Sequence, residues 1–142
     1  MLASVRLLSS SVPPQASLAC TAPTPASSQS TDVAVVDGEP GWWRHVTGEA
    51  TGEGMFDIWT VHAASDPAIE AYCGAWITKH LEGFTGVLNL ETIGGTIIEA
   101  HLRLSDQWPD LYGKGWIDAF VALYRDKAWR FADKDRRDGF SL

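Results

Sequence analysis

Apolar and polar positions change period several times along the chain, and each change marks an element. Trp42 to Thr47 and Met55 to His62 are rich in aromatic and β-branched residues, and the GEATGEG between them, residues 48–54, holds three glycines. Two antiparallel strands joined by a loop are predicted. Asp66 then supplies an N-cap and Pro67 a first helical residue. Ile69, Tyr72, Cys73, Trp76, Ile77 and Leu81 recur at helical spacing until Gly83, so a helix is predicted there. Beyond Gly83, FTGVLNLET and TIIEAHLR alternate with period two on either side of IGG, which predicts a second hairpin. SDQWPDLYGKG is a turn-rich connection to a last helix, Trp116 to Asp126, with Ile117, Phe120 and Tyr124 at core spacing. The fold class expected is α+β, an antiparallel sheet with two main helices.

Composition divides the 142 residues into three parts. Residues 1–40 are dominated by Ser, Ala, Pro and Thr, lack aromatic residues and carry no acid before Asp32. Such a stretch buries too little apolar surface to offset its ordering entropy and is expected to be a disordered leader. Its missing acids and many hydroxyls suit an organelle-targeting peptide, but Arg6 is its only basic residue. The expected compartment is therefore the cytoplasm, with targeting as the alternative. Residues 41–131 form the folded body, and 132–142, with the sign-alternating DKDRRD, read as a solvated charged tail. A net charge of −7 without a basic cluster argues against nucleic acid as a partner, and no apolar run is long enough to span a membrane. Cys20 and Cys73 form no CxxC pair, and Cys73, on the apolar helical stripe, reads as a buried structural thiol. The loop at 48–54 reads as a plain connection, because Glu49 and Glu53 would repel a phosphate and no lysine follows.

The second hairpin concentrates the candidate chemistry. On its first strand Val87, Asn89 and Glu91 share a face, and on its second Ile97, Glu99, His101 and Arg103 share one. A two-residue Gly94–Gly95 turn would pair Glu91 with Ile98 and separate the acids onto opposite faces. A three-residue loop, Ile93 to Gly95, pairs Thr92 with Thr96 and Asn89 with Glu99 and gathers the polar rows, so this register is expected. Two carboxylates, an amide, an imidazole and a guanidinium on one face are costly to place without a neutralising ligand. A divalent metal on Glu91, Glu99 and His101, with a metal-bound anion gripped by Arg103, answers that cost. A solvent-facing sheet surface with a Glu/Arg ion pair also answers it, and spacing alone favours this second reading.

GFTGVLNLETIGGTIIEAHLR resembles the metal-binding end of ATP-grasp enzymes, in which a strand ending in Glu is followed by a return strand with a Glu-x-Asn-x-Arg type motif. Glu91, then Glu99, His101 and Arg103 fill those places, with His101 where the family has Asn. RHVTG with MFDIWTV is similar to the strand pair preceding that hairpin, and the helix from Asp66 to the one leading into it. The resemblance covers about residues 42–125. It implies Mg or Mn held by Glu91, Glu99 and His101 against the phosphates of ATP, Arg103 as the catalytic and phosphate-binding residue, and the activation of a carboxylate as an acyl-phosphate. The family's preceding lobe, with its lysine and mobile glycine-rich loop, has no counterpart in residues 1–40. The resemblance thus implies the last third of an ATP-grasp domain, a carboxylate–amine ligase remnant inactive alone unless completed by a missing lobe or by homo-oligomerisation. The alternatives are a non-catalytic binding or assembly module that reuses the fold, and a metal-dependent hydrolase using Glu91, Glu99 and His101.

Overall fold

The computed structural model describes residues 28–50, 56–105 and 109–141. Six strands form one antiparallel sheet: β1 (Ser28–Val36), β2 (Glu39–Ala50), β3 (Phe56–His62), β4 (Gly86–Ile93), β5 (Thr96–His101) and β6 (Gly139–Ser141). Helices α1 (Pro67–His80) and α2 (Trp116–Asp126) and a 3-10 turn at Pro109–Tyr112 complete the described elements. The strand order is β5-β4-β1-β2-β3-β6. The α+β class with an antiparallel sheet and two helices is therefore observed.

The composition boundary at residue 40 does not coincide with the structural one. Residues 28–40 hold β1 and the start of β2, and β1 is the strand that joins the two expected hairpins, pairing with β2 on one side and β4 on the other. The physical reason lies in VAVVDG. Val33, Ala34 and Val35 are fully buried, and Asp37 and Gly38 both adopt positive φ, 53° and 82°, the geometry of a two-residue hairpin turn. Gly38 is required there twice over, since a Cβ would also stand 3.1 Å from the Leu81 carbonyl oxygen. Residues 1–27, where the rest of the expected leader falls, lie outside the described residues, as do residues 51–55 of the β2–β3 connection.

The two faces of the sheet carry separate cores. Under α1, Val33, Val35, Leu88 and Leu90 pack with Ile69, Cys73 and Ile77. The helix begins as expected, with the Asp66 carboxylate accepting from the Ile69 amide at 3.2 Å and Pro67 in the first turn. Burial raises the Cys73 thiol to about 11, in keeping with an inert structural role. On the other face Ala34, Trp42, Val46, Val61 and Val87 meet Tyr112, Trp116 and Leu123. Here α2 is rotated from the expected orientation: Trp116, Ala119 and Leu123 point inward, while Ile117 and Tyr124 are exposed and Phe120 is only partly buried. The size of Trp116 decides this, because its ring packs tilted or edge-on among Trp42, Tyr112 and Trp129 and fixes which side of the helix faces the sheet.

The charged tail is likewise anchored. Asp133 accepts from Trp42 Nε1 at 3.0 Å and from Arg44 Nη2 at 3.1 Å, and Arg136 donates to Asp133 and to the carbonyls of Trp43 and Ala63. Asp138 accepts from the Ala63 amide at 2.7 Å, and β6 adds itself to β3. Sign alternation that suits a solvated end here serves a buried partner. Arg44 is 1% exposed and stands over the rings of Trp42 and Tyr112. Burial lowers its pKa, opposed by the Asp133 carboxylate beside it.

Candidate functional site

The β4–β5 turn has two residues, not three. Gly94 and Gly95 both take positive φ, 58° and 80°, and Ile93 pairs with Thr96 and Thr92 with Ile97. Left alone, this register would place Glu91 opposite Ile98. A bulge at Glu91/Thr92 inserts one residue into β5 and shifts the ladder, so that Glu91 faces Glu99 and Asn89 faces His101. The expected pairing of Asn89 with Glu99 is thus replaced by a different one with the same outcome for the acids: both carboxylates stand side by side.

One carboxylate oxygen from each of Glu91 and Glu99 and a ring nitrogen of His101 lie within 4.8 Å of one another. His101 Nε2 is 3.3 Å from Glu99 Oε1 and 3.9 Å from Glu91 Oε1. Ligand atoms around one cation at 2.0–2.6 Å stand roughly 3–4 Å apart, so the three converge with little rearrangement. The cluster is open to solvent on one side, with Glu91 and His101 half-buried and Glu99 exposed. Arg103 lies just beyond β5, exposed, with its guanidinium donating to the Leu104 carbonyl at 2.9 Å. The three metal candidates are brought together; Arg103 stays near but outside the cluster.

Register extends the site inward. His101, Asn89, Asp32 and Arg44 stand opposite one another in a row across β5, β4, β1 and β2, and Glu99, Glu91 and Ser30 form the adjoining row. Asn89 donates to Ser30 Oγ at 2.8 Å and to Asp32 Oδ1 at 2.6 Å. Asp32, with no exposed surface, also accepts from the Ser105 amide at 3.1 Å and, through Oδ2, from the Tyr112 hydroxyl at 2.6 Å. Desolvation raises its pKa from 3.8 to about 6, against the lowering effect of these hydrogen bonds and of the nearby Arg103 charge. Asp32, Ser30 and Tyr112 are the residues that sequence reasoning missed. The alternation of Ser30, Asp32 and Ala34 with Thr31, Val33 and Val35 ahead of Asp-Gly was the available signal.

A second titratable pair lies on the α1 face. His45 is held between Thr31 Oγ1 and Glu70 Oε1, each at 3.1 Å, and burial lowers its pKa against the pull of Glu70. Both ring nitrogens are engaged, so His45 ties α1 to the sheet.

Neither a protein-family model nor a curated protein matches this chain.

Proposed function

We propose that the chain is an ATP-grasp-like lobe of a carboxylate–amine ligase, whose β4–β5 hairpin holds Mg or Mn through Glu91, Glu99 and His101 and offers Arg103 to a metal-bound phosphate of ATP. The observation that carries this reading is the bulge, which spends a ladder register to set two carboxylates and an imidazole within 4.8 Å on one face. Bound there, a divalent cation would neutralise phosphate charge. Glu91 and Glu99 would orient it, the imidazole would supply a nitrogen donor, and the fixed Asn89–Asp32 pair would keep the strand carrying Glu91 in place. The nitrogen donor favours manganese over magnesium, which prefers an all-oxygen octahedron.

Turnover needs cations on more than one side of the phosphates. Lys79 belongs to α1, which covers the face opposite the cluster, and Lys114 lies in the turn ahead of α2, so neither is carried by the hairpin that would hold the metal. The chain by itself is therefore expected to bind metal without sustained ATP hydrolysis, and turnover to require a further lobe or a second copy. Titration calorimetry with Mn and Mg, repeated on Glu91→Gln and Glu99→Gln, tests the metal. Heats for manganese that exceed those for magnesium and vanish in both variants support it, and equal negligible heats in all three proteins overturn it. Phosphate release with a panel of amino acids tests the second part, because sustained release lost in Arg103→Ala would show a complete site in the chain alone.

The reading as a non-catalytic assembly module rests on a separate observation, the exposed stripe of Ile117, Val121 and Tyr124 at helical spacing on α2. Manganese binding without any nucleotide binding would favour that module.

A further inference from the structure

An edge strand exposes unpaired amides and carbonyls, and proteins usually blunt it with lysine, proline or a covering segment. Among the described residues strand β5 ends the sheet; it contains neither lysine nor proline and leaves Thr96, Ile98, Glu99 and Ala100 exposed, with Ile98 at 56% and the following Leu102 at 63%. Its turn-proximal end is closed, where the Ile97 amide donates to the Tyr72 hydroxyl at 3.4 Å. The bulge lies at that same end, and Glu99, Ala100 and His101 run in regular register with β4.

We propose that β5 pairs antiparallel with β5 of a second copy, about a two-fold axis passing beside Ala100. The sequence of the edge selects this partner and this register. Residues facing each other across an antiparallel edge share the same hydrogen-bonding phase, so the two residue numbers sum to an even value. With Ala100 opposite itself, Glu99 faces the partner subunit's His101 and His101 faces the partner subunit's Glu99, all three residues lying in the regular part of the strand. A carboxylate thus meets an imidazole in both symmetry-related pairs. Shifted one way, Glu99 would face its own copy, like charge on like; shifted the other, His101 would be the one residue of the strand left in the ladder, facing its own copy. The matched register also sets the two Glu91–Glu99–His101 clusters side by side across the axis. The inference does not depend on metal binding. Six-residue edges bury less than the roughly 1,200 Å² of a stable complex, so the dimer is a reversible, concentration-dependent one.

Crosslinking tests the register. Opposed Cα atoms across an antiparallel pair are about 4.5–5.5 Å apart, within disulfide reach, so Ala100→Cys in a Cys20→Ser background should form a linked dimer under mild oxidation. Thr96→Cys, on the same exposed strand, would stand about 27 Å from its own copy and should not link. Absence of linkage at 100, or equal linkage at 96, overturns the proposal. Sedimentation equilibrium in chelator tests the carboxylate–imidazole pairing independently of any metal. The 15.5 kDa chain should associate as concentration rises. His101→Glu, which sets acid against acid in both symmetry-related pairs, should weaken association about tenfold, and adding Glu99→Lys should restore it. A chain that stays monomeric, or a His101→Glu variant that associates like the parent, refutes it.

Discussion

Replacing Asp32 with asparagine keeps the shape of the side chain and removes a charge that is buried under the 3-10 turn and α2. The amide can still accept from Asn89 and the Ser105 backbone and can donate to the Tyr112 hydroxyl, so the local geometry is retained. What changes is proton linkage. Between the ordinary value of 3.8 and the folded value of about 6, the folded protein holds a proton on Asp32 that the unfolded chain has released. Stability from this residue is therefore greatest below about pH 4, falls as pH rises to about 6, and is flat above that. At about 1.36 kcal/mol per pH unit, the interval amounts to about 3 kcal/mol. Urea denaturation of both proteins from pH 3.5 to 8 isolates the effect, because the other carboxylates cancel in the difference. The stability of the parent minus that of Asp32→Asn should fall by about 3 kcal/mol across the window. A difference that stays level or rises with pH would refute the claim that burial outweighs the three hydrogen bonds.

Three further outcomes follow from geometry. Asp133→Ala leaves the Arg44 guanidinium buried without its carboxylate and should cost about 3–5 kcal/mol in urea denaturation, far more than a charge in a solvated tail. Gly38→Ala, forced into positive φ beside the Leu81 carbonyl, should lose about 1–2 kcal/mol by the same assay. On α2, Trp116→Ala should cost about 3–5 kcal/mol while Ile117→Lys stays within about 0.5 kcal/mol, a contrast that thermal unfolding resolves and that the opposite helix orientation would reverse.

Local patterns were legible where one force dominated. The Asp66–Pro67 helix start, the alternation in the second hairpin and the burial of Cys73 each follow from periodicity or capping chemistry acting on neighbours in sequence. The cluster of Glu91, Glu99 and His101 was legible as a set, but the wrong turn was invoked to assemble it: a bulge is a local irregularity that alternation does not encode. β1 was hidden because its Ser and Thr content matches that of the residues before it. Composition averages over a window, whereas burial is decided residue by residue, by whether Ser30, Thr31 and Asp32 find partners across the sheet. The same long-range dependence concealed the tail, whose Asp133 is ordered by Trp42 and Arg44 from 91 and 89 residues away. Orientation of α2 required knowing which large ring wins the core, a question of volume that helical spacing leaves open.

The central place of β1 has a consequence for the order in which the chain acquires its structure. Asp32 is opposite Arg44, close along the chain, and opposite Asn89, 57 residues further on. Synthesis from the N-terminus delivers β1, β2 and β3 together, able to zip through the Asp37–Gly38 turn, while the other edge of β1 waits with its amides and buried-to-be valines uncovered until residue 93 has emerged. Through that interval the nascent three-stranded sheet presents the run VAVV on an open edge, and α1, which is made before β4, is the first element able to shield one of its faces. Helix α1 is thus the element placed to cover that face before β4 exists, and the pairing of β4 with β1, which joins the two halves of the sheet, is a contact that closes a long loop of chain.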